Sequence, residues 1–214
     1  NKKMNLKKLF IKHCEINQFE INVDQLKIID DLKDFYEDNF KQSYFKKIFK
    51  KKDTKLGYYL MGDVGVGKTM ILNFFFNELK EKKLRLHFNE FMLNFHDFIF
   101  KNKNKENGID NFVENLNNKA QIIYFDEFQV TNIVDAMILG RLFKKIFEKK
   151  IKVIFSSNIK INDLYKDGLQ REQFLPFIKI LEKNSYQKEL SIEEDYRLTQ
   201  NINLRRFLFP INKL

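Results

Sequence analysis

Apolar residues in this chain recur with two different periods, and the alternation between the two outlines a fold. Between residues 18 and 40, Ile21, Val23, Leu26, Ile29, Leu32 and Phe35 return mostly at every third position, with acids between them. That spacing lines one face of a helix, and Asp24 stands where an N-cap is wanted. Gly57-Tyr-Tyr-Leu-Met61 is instead a short apolar run suited to a buried strand, and residues 70 to 79 return to a helical pattern. Leu84-Arg-Leu-His-Phe88 alternates as a strand does, and Asn89 is placed to cap a helix over 90 to 101. The Asn- and Lys-rich stretch from 102 to 119, with Gly108, predicts a loop holding a short helix. Gln121-Ile-Ile-Tyr-Phe-Asp-Glu-Phe128 is an apolar run ending in two carboxylates. From 132 to 149 a helix is predicted with Val134, Ile138, Leu142 and Ile146 on one face, followed by the strand Ile151-Lys-Val-Ile-Phe155 and the polar end Ser156-Ser-Asn158. A helical stretch over 161 to 183 must break or kink at Pro176, which lacks an N–H, and residues 187 to 190 form a last short strand. Strands alternating with helices predict an α/β fold, a parallel sheet with helices on both faces.

Between the first strand and the next helix lies Gly62-Asp63-Val64-Gly65-Val66-Gly67-Lys68-Thr69, a phosphate-binding loop of the form GxxxxGK[ST]. An isolated match can be an ordinary glycine turn. Here the flanks supply strand, loop and helix, the geometry the chemistry needs. Glycines let the backbone wrap phosphates, while successive N–H groups and the helix N-terminus face the negative charge. Residues Gly62 to Met70 are therefore the expected nucleotide contacts, with Lys68 meeting the terminal phosphates of ATP and Thr69 placing its hydroxyl on Mg²⁺. The run ending in Asp126 and Glu127 fits a buried parallel strand whose carboxyl end points at the ligand. Asp126 is expected in the Mg²⁺ shell and Glu127 as the general base that polarises water.

Two later residues extend the site. Asn158, at the next strand end, reads equally as an amide beside the γ-phosphate and as a cap or turn residue. Arg171, in Gly168-Leu-Gln-Arg-Glu172, is poorly placed for its own nucleotide and well placed for a neighbour's. Only six arginines stand among many lysines, at 85, 141, 171, 197, 205 and 206, so a retained arginine points to a need for the planar guanidinium. His13, His87 and His96 are scattered and read as structural, and Cys14, the lone cysteine, as inert in a reducing compartment.

Composition narrows the classes. At 214 residues and 43% hydrophobic, the chain suits one α/β domain with a sizeable core. No apolar stretch is long enough to span a bilayer. The net charge of +10 comes from lysines interleaved with acids, which argues against nucleic acid as the partner. The exception is the cluster from Lys46 to Lys55 with Tyr44 and Phe45, a solvated loop face or an anionic contact.

Several segments resemble the bacterial ZapE ATPases and their mitochondrial lactation-elevated (LACE-type, AFG-like) relatives, an AAA+-like family. They are Tyr59 to Met70, Leu86-His-Phe-Asn-Glu-Phe-Met92, Phe125 to Leu139, Ser156-Ser-Asn158, Leu164 to Arg171, Phe174-Leu-Pro-Phe-Ile178 and Asp195-Tyr-Arg-Leu198. The resemblance implies ATPase activity, assembly into a homo-oligomeric ring, ATP bound between subunits, and Arg171 acting in trans. It implies a protein client, the tubulin-like division protein for bacterial members or membrane proteins for mitochondrial ones. It also implies a cytoplasmic location with room for peripheral contact at the inner membrane, or a mitochondrial one in a eukaryote. The rival readings are a nucleic-acid translocase or helicase loader, and an ATP-gated binding module with little turnover. Family rings suggest that Phe88 and Phe91 grip a client in a central pore, while packing in the core is the other reading. Asn89 replaces a family histidine. Family members also continue beyond Leu214 with a further arginine-bearing segment, so the chain reads as a fragment. The expected division is an N-terminal helical segment over 1–52 packing on the core, a P-loop ATPase core over 53–192, and the start of a truncated C-terminal region over 193–214.

Overall fold

The computed structural model describes residues 5–41, 54–102 and 107–191. The boundaries near 52 and 192, the 193–214 region, most of the Lys46–Lys55 cluster and the segment from Asp195 lie outside the described residues. In chain order the elements are α1 (Leu6–Asn17), α2 (Val23–Phe40), β1 (Gly57–Met61), α3 (Lys68–Glu78), β2 (Lys83–His87), α4 (Phe88–Lys101), α5 (Gly108–Lys119), β3 (Ile122–Asp126), α6 (Ile133–Glu148), β4 (Lys152–Ser157), a 3₁₀ turn (Ile161–Asp163), α7 (Arg171–Asn184) and β5 (Ser185–Glu189).

The five strands form one parallel sheet in the order β2-β3-β4-β1-β5. β3 is buried along its whole length, and β1 and β4 nearly so, which is why their sequences are continuous apolar runs. Alternate residues feed two cores. Tyr58, Leu60, Ile122, Tyr124 and Ile154 pack under α1, α2 and α3, whereas Tyr59, Ile123, Phe125, Val153 and Phe155 pack under α4 to α7. The expected parallel sheet with helices on both faces is therefore present. The register sets Leu60 beside Ser156 and His87 beside Asp126, so the carboxyl ends of β1, β2, β3 and β4 are aligned on one rim.

The elements differ from expectation at several places. α1 falls within the helical segment expected over 1–52, though only the helix after residue 18 is outlined by the apolar pattern; it buries Leu6, Phe10 and Cys14 at four-residue spacing. α2 is capped by Asn22 and not Asp24, because Asn22 and Gln25 exchange hydrogen bonds as a capping box. α4 starts at Phe88, directly after the strand, so Asn89 is inside the helix and caps nothing. The loop expected over 102 to 119 holds a full helix, α5. The stretch over 161 to 183 is divided upstream of Pro176, where Tyr165 and Gln170 take positive φ of 54° and 55°, and α7 runs through the proline. Pro176 lies in the second turn and removes a single N–H, leaving the rest of the ladder intact.

Candidate nucleotide site

The loop between β1 and α3 closes over a cavity of about 420 Å³. Gly65 and Gly67 take φ of 87° and 93°, a region that residues with a Cβ rarely adopt. A Cβ on Gly67 would also stand 2.9 Å from Gln25 Nε2. Gln25 is buried, and its amide donates a long 3.5 Å bond to the Val66 carbonyl, so the first turn of α2 backs the loop. Lys68, at the start of α3, is 7% exposed. Its ammonium donates to Gly62 O at 2.6 Å, Asp63 O at 2.7 Å and Asn158 Oδ1 at 2.9 Å. Burial pulls its pKa down, opposed by the charges of Asp63 and Asp126. Thr69 is exposed and lines the cavity with Val64, Gly65, Gly67 and Met70.

The opposite wall comes from β3 and β4. Asp126 ends β3 and is 4% exposed. Its Oδ1 accepts from Ser156 Oγ at 2.7 Å and Tyr124 OH at 3.0 Å, and its Oδ2 accepts from Arg85 Nη2 at 2.6 Å. Burial alone would raise the Asp126 pKa. The hydrogen bonds from Ser156, Arg85 and Tyr124, with the Arg85 charge, outweigh it and hold the carboxyl below its ordinary value. Asp126 sits behind the cavity wall, and Glu127 is on it. Glu127 holds φ at 53° and projects a side chain that is 81% exposed, with His87 Nδ1 3.9 Å from its carboxylate. That turn is pinned from β4: Glu127 N–H donates to Ser156 Oγ at 3.2 Å, Phe128 N–H to Ser156 O at 2.7 Å, and Ser157 Oγ to Phe128 O at 2.7 Å.

The structure thus gathers Lys68, Thr69, Glu127 and Asn158 around one cavity with Asp126 directly behind it, while Gly62, Asp63 and Val66 of the loop are not on its wall. Arg171 is not on the cavity wall. It opens α7, donates from Nη2 to Asn162 O at 2.6 Å, and has a buried Nε without a partner. Among the described residues there is no group of three or more His, Cys, Asp and Glu that could cage a metal. A hydroxyl and an ionised carboxylate at the cavity are instead the hard oxygen donors that suit Mg²⁺ arriving with phosphates. Sequence reasoning missed Arg85, Tyr124, Ser156 and Ser157 as parts of this site. The scarcity of arginine was the advance signal for Arg85, and the polar strand end Ser156-Ser-Asn158 the one for the serines; the contacts themselves arise from strand register.

The pore reading of Phe88 and Phe91 is overturned. The two are 2% and 1% exposed, with ring centroids 4.6 Å from Phe128 and 4.7 Å from Phe125 respectively. Because α4 begins at the strand end, its first turn packs these rings onto the sheet.

The chain matches the AFG1-like ATPase family over residues 4–213. It is 34% identical over 168 residues to the cell division protein ZapE of Escherichia coli (strain K12), covering 76% of this chain and 45% of that protein. It is 38% identical over 153 residues to lactation elevated protein 1 homolog B of Danio rerio, covering 66% of this chain and 30% of that one. The chain therefore spans less than half the length of either relative. Among solved structures it resembles DnaI, with a TM-score of 0.57 at 18% identity over 83% of this chain and 87% of that one. It also resembles AMPPCP-bound DnaA from Aquifex aeolicus, with a TM-score of 0.58 at 15% identity over 92% of this chain and 56% of that one. A parallel sheet carrying a phosphate loop after its β1 strand, and a family match along nearly the whole sequence, establish that the chain belongs to the AFG1-like ATPases.

Proposed function

We propose that the cavity binds ATP with Mg²⁺ and hydrolyses it, and that hydrolysis drives remodelling of a protein client by a homo-oligomer, with Arg171 completing a neighbour's site. One observation carries the catalytic half: the Lys68 ammonium stands 2.9 Å from Asn158 Oδ1, at the mouth of a cavity also lined by Thr69 and Glu127. A cation that meets terminal phosphates, an amide beside it and a carboxylate facing the same space are what in-line attack of water on a phosphoryl group requires. Gly62 to Met70 wrap the phosphates with backbone N–H groups. Thr69 and Asp126 hold Mg²⁺, which when bound neutralises charge on the phosphate oxygens. Glu127 orients and polarises the attacking water, and Asn158 senses the γ-phosphate.

The client we propose is a protein, a reading supported by the resemblance to a cell division protein of Escherichia coli. No helix of the described residues is long and apolar enough to cross a membrane. We place the protein in the cytoplasm of a bacterium, with peripheral contact at the inner membrane, or in the mitochondrion of a eukaryote.

The test pairs two variants. Lys68→Ala loses ATP binding, titrated with a fluorescent analogue. Glu127→Gln keeps binding and slows hydrolysis by at least ~10², the scale of a lost general base. Normal turnover in Glu127→Gln rejects the assigned base, and unchanged binding in Lys68→Ala rejects the site. Stimulation by DNA or RNA would favour a translocase instead. Client capture that survives loss of Glu127 would favour an ATP-gated binding module.

A further inference from the structure

Arg85 lies on β2, the edge strand beside β3, and its side chain is 42% exposed. Its guanidinium stacks over the Tyr124 ring at 5.3 Å and donates to Asp126 Oδ2 at 2.6 Å. The same carboxylate takes its two other bonds from neutral hydroxyls, those of Tyr124 and Ser156. Lys68, the other cation whose charge interacts with Asp126, makes no bond to it. All three of its N–H bonds end on the neutral oxygens of Gly62, Asp63 and Asn158. Yet the Asp126 charge reaches Lys68 through space.

This division of partners has a chemical consequence. An ammonium bonded to neutral oxygens can be taken over by a phosphate, because the charged acceptor forms the stronger hydrogen bond. An ammonium paired with a buried carboxylate resists the exchange, because breaking a buried ion pair strands both charges. Both hydroxyls bond Oδ1 of Asp126, which leaves Oδ2 to a cation, and the buried position of the carboxylate favours one in reach. Arg85 supplies that cation from the edge of the sheet.

We propose that Arg85 is a positioning residue of the nucleotide site, holding the Asp126 carboxylate off Lys68 so that Lys68 stays available to phosphate. This rests on the reading of Lys68 as the phosphate-binding cation. It does not depend on Mg²⁺, which makes it separable from the role of Asp126 toward the metal.

The experiment measures ATP binding calorimetrically in excess EDTA, with melting temperatures recorded alongside. Arg85→Met weakens metal-free ATP binding about tenfold, equivalent to about 1.4 kcal/mol. Arg85→Lys, which keeps a charge in reach of Oδ2, recovers most of that loss. In an Asp126→Asn background there is no carboxylate to hold, so adding Arg85→Met changes metal-free affinity by less than about twofold, within the roughly 0.3–0.5 kcal/mol of additive sites. That pair of variants carries no stranded buried carboxylate, so a loss there overturns the proposal even if Arg85→Met alone folds poorly; in that case Arg85→Gln, read against the same pair, supplies the loss expected with Asp126 in place. Wild-type affinity in folded Arg85→Met overturns the proposal. So does an equal loss in the Asp126→Asn background, which would show Arg85 acting on nucleotide directly. Lys68→Ala run in parallel separates the two readings. If it leaves metal-free binding unchanged, the phosphate role of Lys68 fails. If it abolishes binding while Arg85→Met binds normally, the positioning role alone fails.

Discussion

Replacing Ser156 by alanine removes two hydrogen bonds that tie the acidic strand end to β4. Ser156 Oγ donates to Asp126 Oδ1 at 2.7 Å and accepts from the Glu127 N–H at 3.2 Å. The first ends on a carboxylate whose side chain is 5% exposed, where water does not substitute for the lost donor. Hydrogen bonds to charged groups contribute about 1.5–3 kcal/mol and neutral ones about 0.5–1.5 kcal/mol. The second bond is long and belongs at the lower end, so the variant should lose about 2–4 kcal/mol. For a chain of this size that lowers the melting temperature by roughly 5–15 °C. The pH dependence follows from the depressed pKa of Asp126. A carboxyl depressed on folding contributes stability that is complete above its unfolded value, about 3.9 for aspartate, and is lost as pH falls through the folded value. The gap between wild type and Ser156→Ala should therefore be flat from about pH 8 to 5 and narrow only below about pH 4. Urea unfolding followed by far-UV circular dichroism measures it in a chain that has no tryptophan. The same substitution in an Asp126→Asn background should lose less, since the acceptor is then neutral, and the difference is the coupling energy. A Ser156→Ala protein within about 0.5 kcal/mol of wild type at pH 7 would refute the idea that this network secures the acidic turn.

Two further predictions concern Phe88 and Arg171. Phe88→Ala should lose about 3–5 kcal/mol by opening a cavity among Phe91, Phe125 and Phe128; unchanged urea stability would put the ring back at a working surface. Arg171→Ala should bind ATP but hydrolyse it poorly, and mixing it with Lys68→Ala should restore partial turnover, because some interfaces then pair an intact site with an intact arginine. Mixed oligomers confirmed by mass but without recovery would leave Arg171 with its contact to Asn162 alone.

The parts of the site that were legible in the sequence are those whose chemistry is local. The glycine spacing, Lys68 and Thr69 act within one turn of chain, and the strand before Asp126 is recognisable because burial on both faces removes polar residues from it. The polar network was not legible, since Arg85, Tyr124, Asp126 and Ser156 are separated by up to 71 positions and meet only through the β2-β3-β4 register. Within the helical segment expected over 1–52, α1 is not outlined by periodicity, because three residues, Leu6, Phe10 and Cys14, carry its buried face among lysines. The pore reading of Phe88 and Phe91 failed for a related reason. An aromatic run states that area will be buried but not against what, and a helix starting without a loop after β2 turned both rings onto β3.

The resting contacts of Lys68 also bear on how nucleotide binding reaches the rest of the molecule. All three N–H groups of the ammonium are taken, so a phosphate that bonds it must displace at least one of two loop carbonyls and Asn158 Oδ1. The carbonyls belong to the loop that wraps the phosphates, so their release is part of closing around the ligand. Asn158 belongs to the end of β4, one residue beyond Ser157, whose hydroxyl ties Phe128 and accepts from the Ile159 N–H. Freeing the Asn158 amide therefore alters the strand end that also fixes the Glu127 turn. On the proposed reading, the bond that marks Asn158 as a neighbour of the phosphate site is the one that ATP breaks, and the released side chain meets the γ-phosphate through its Nδ2 donor, since Oδ1 is an acceptor like the phosphate oxygens. Asn158→Ala should then bind ATP with little loss, since a competitor for Lys68 is removed with the reader, while coupling of binding to hydrolysis suffers. A variant that loses binding and turnover in equal proportion would show that the amide only props up Lys68.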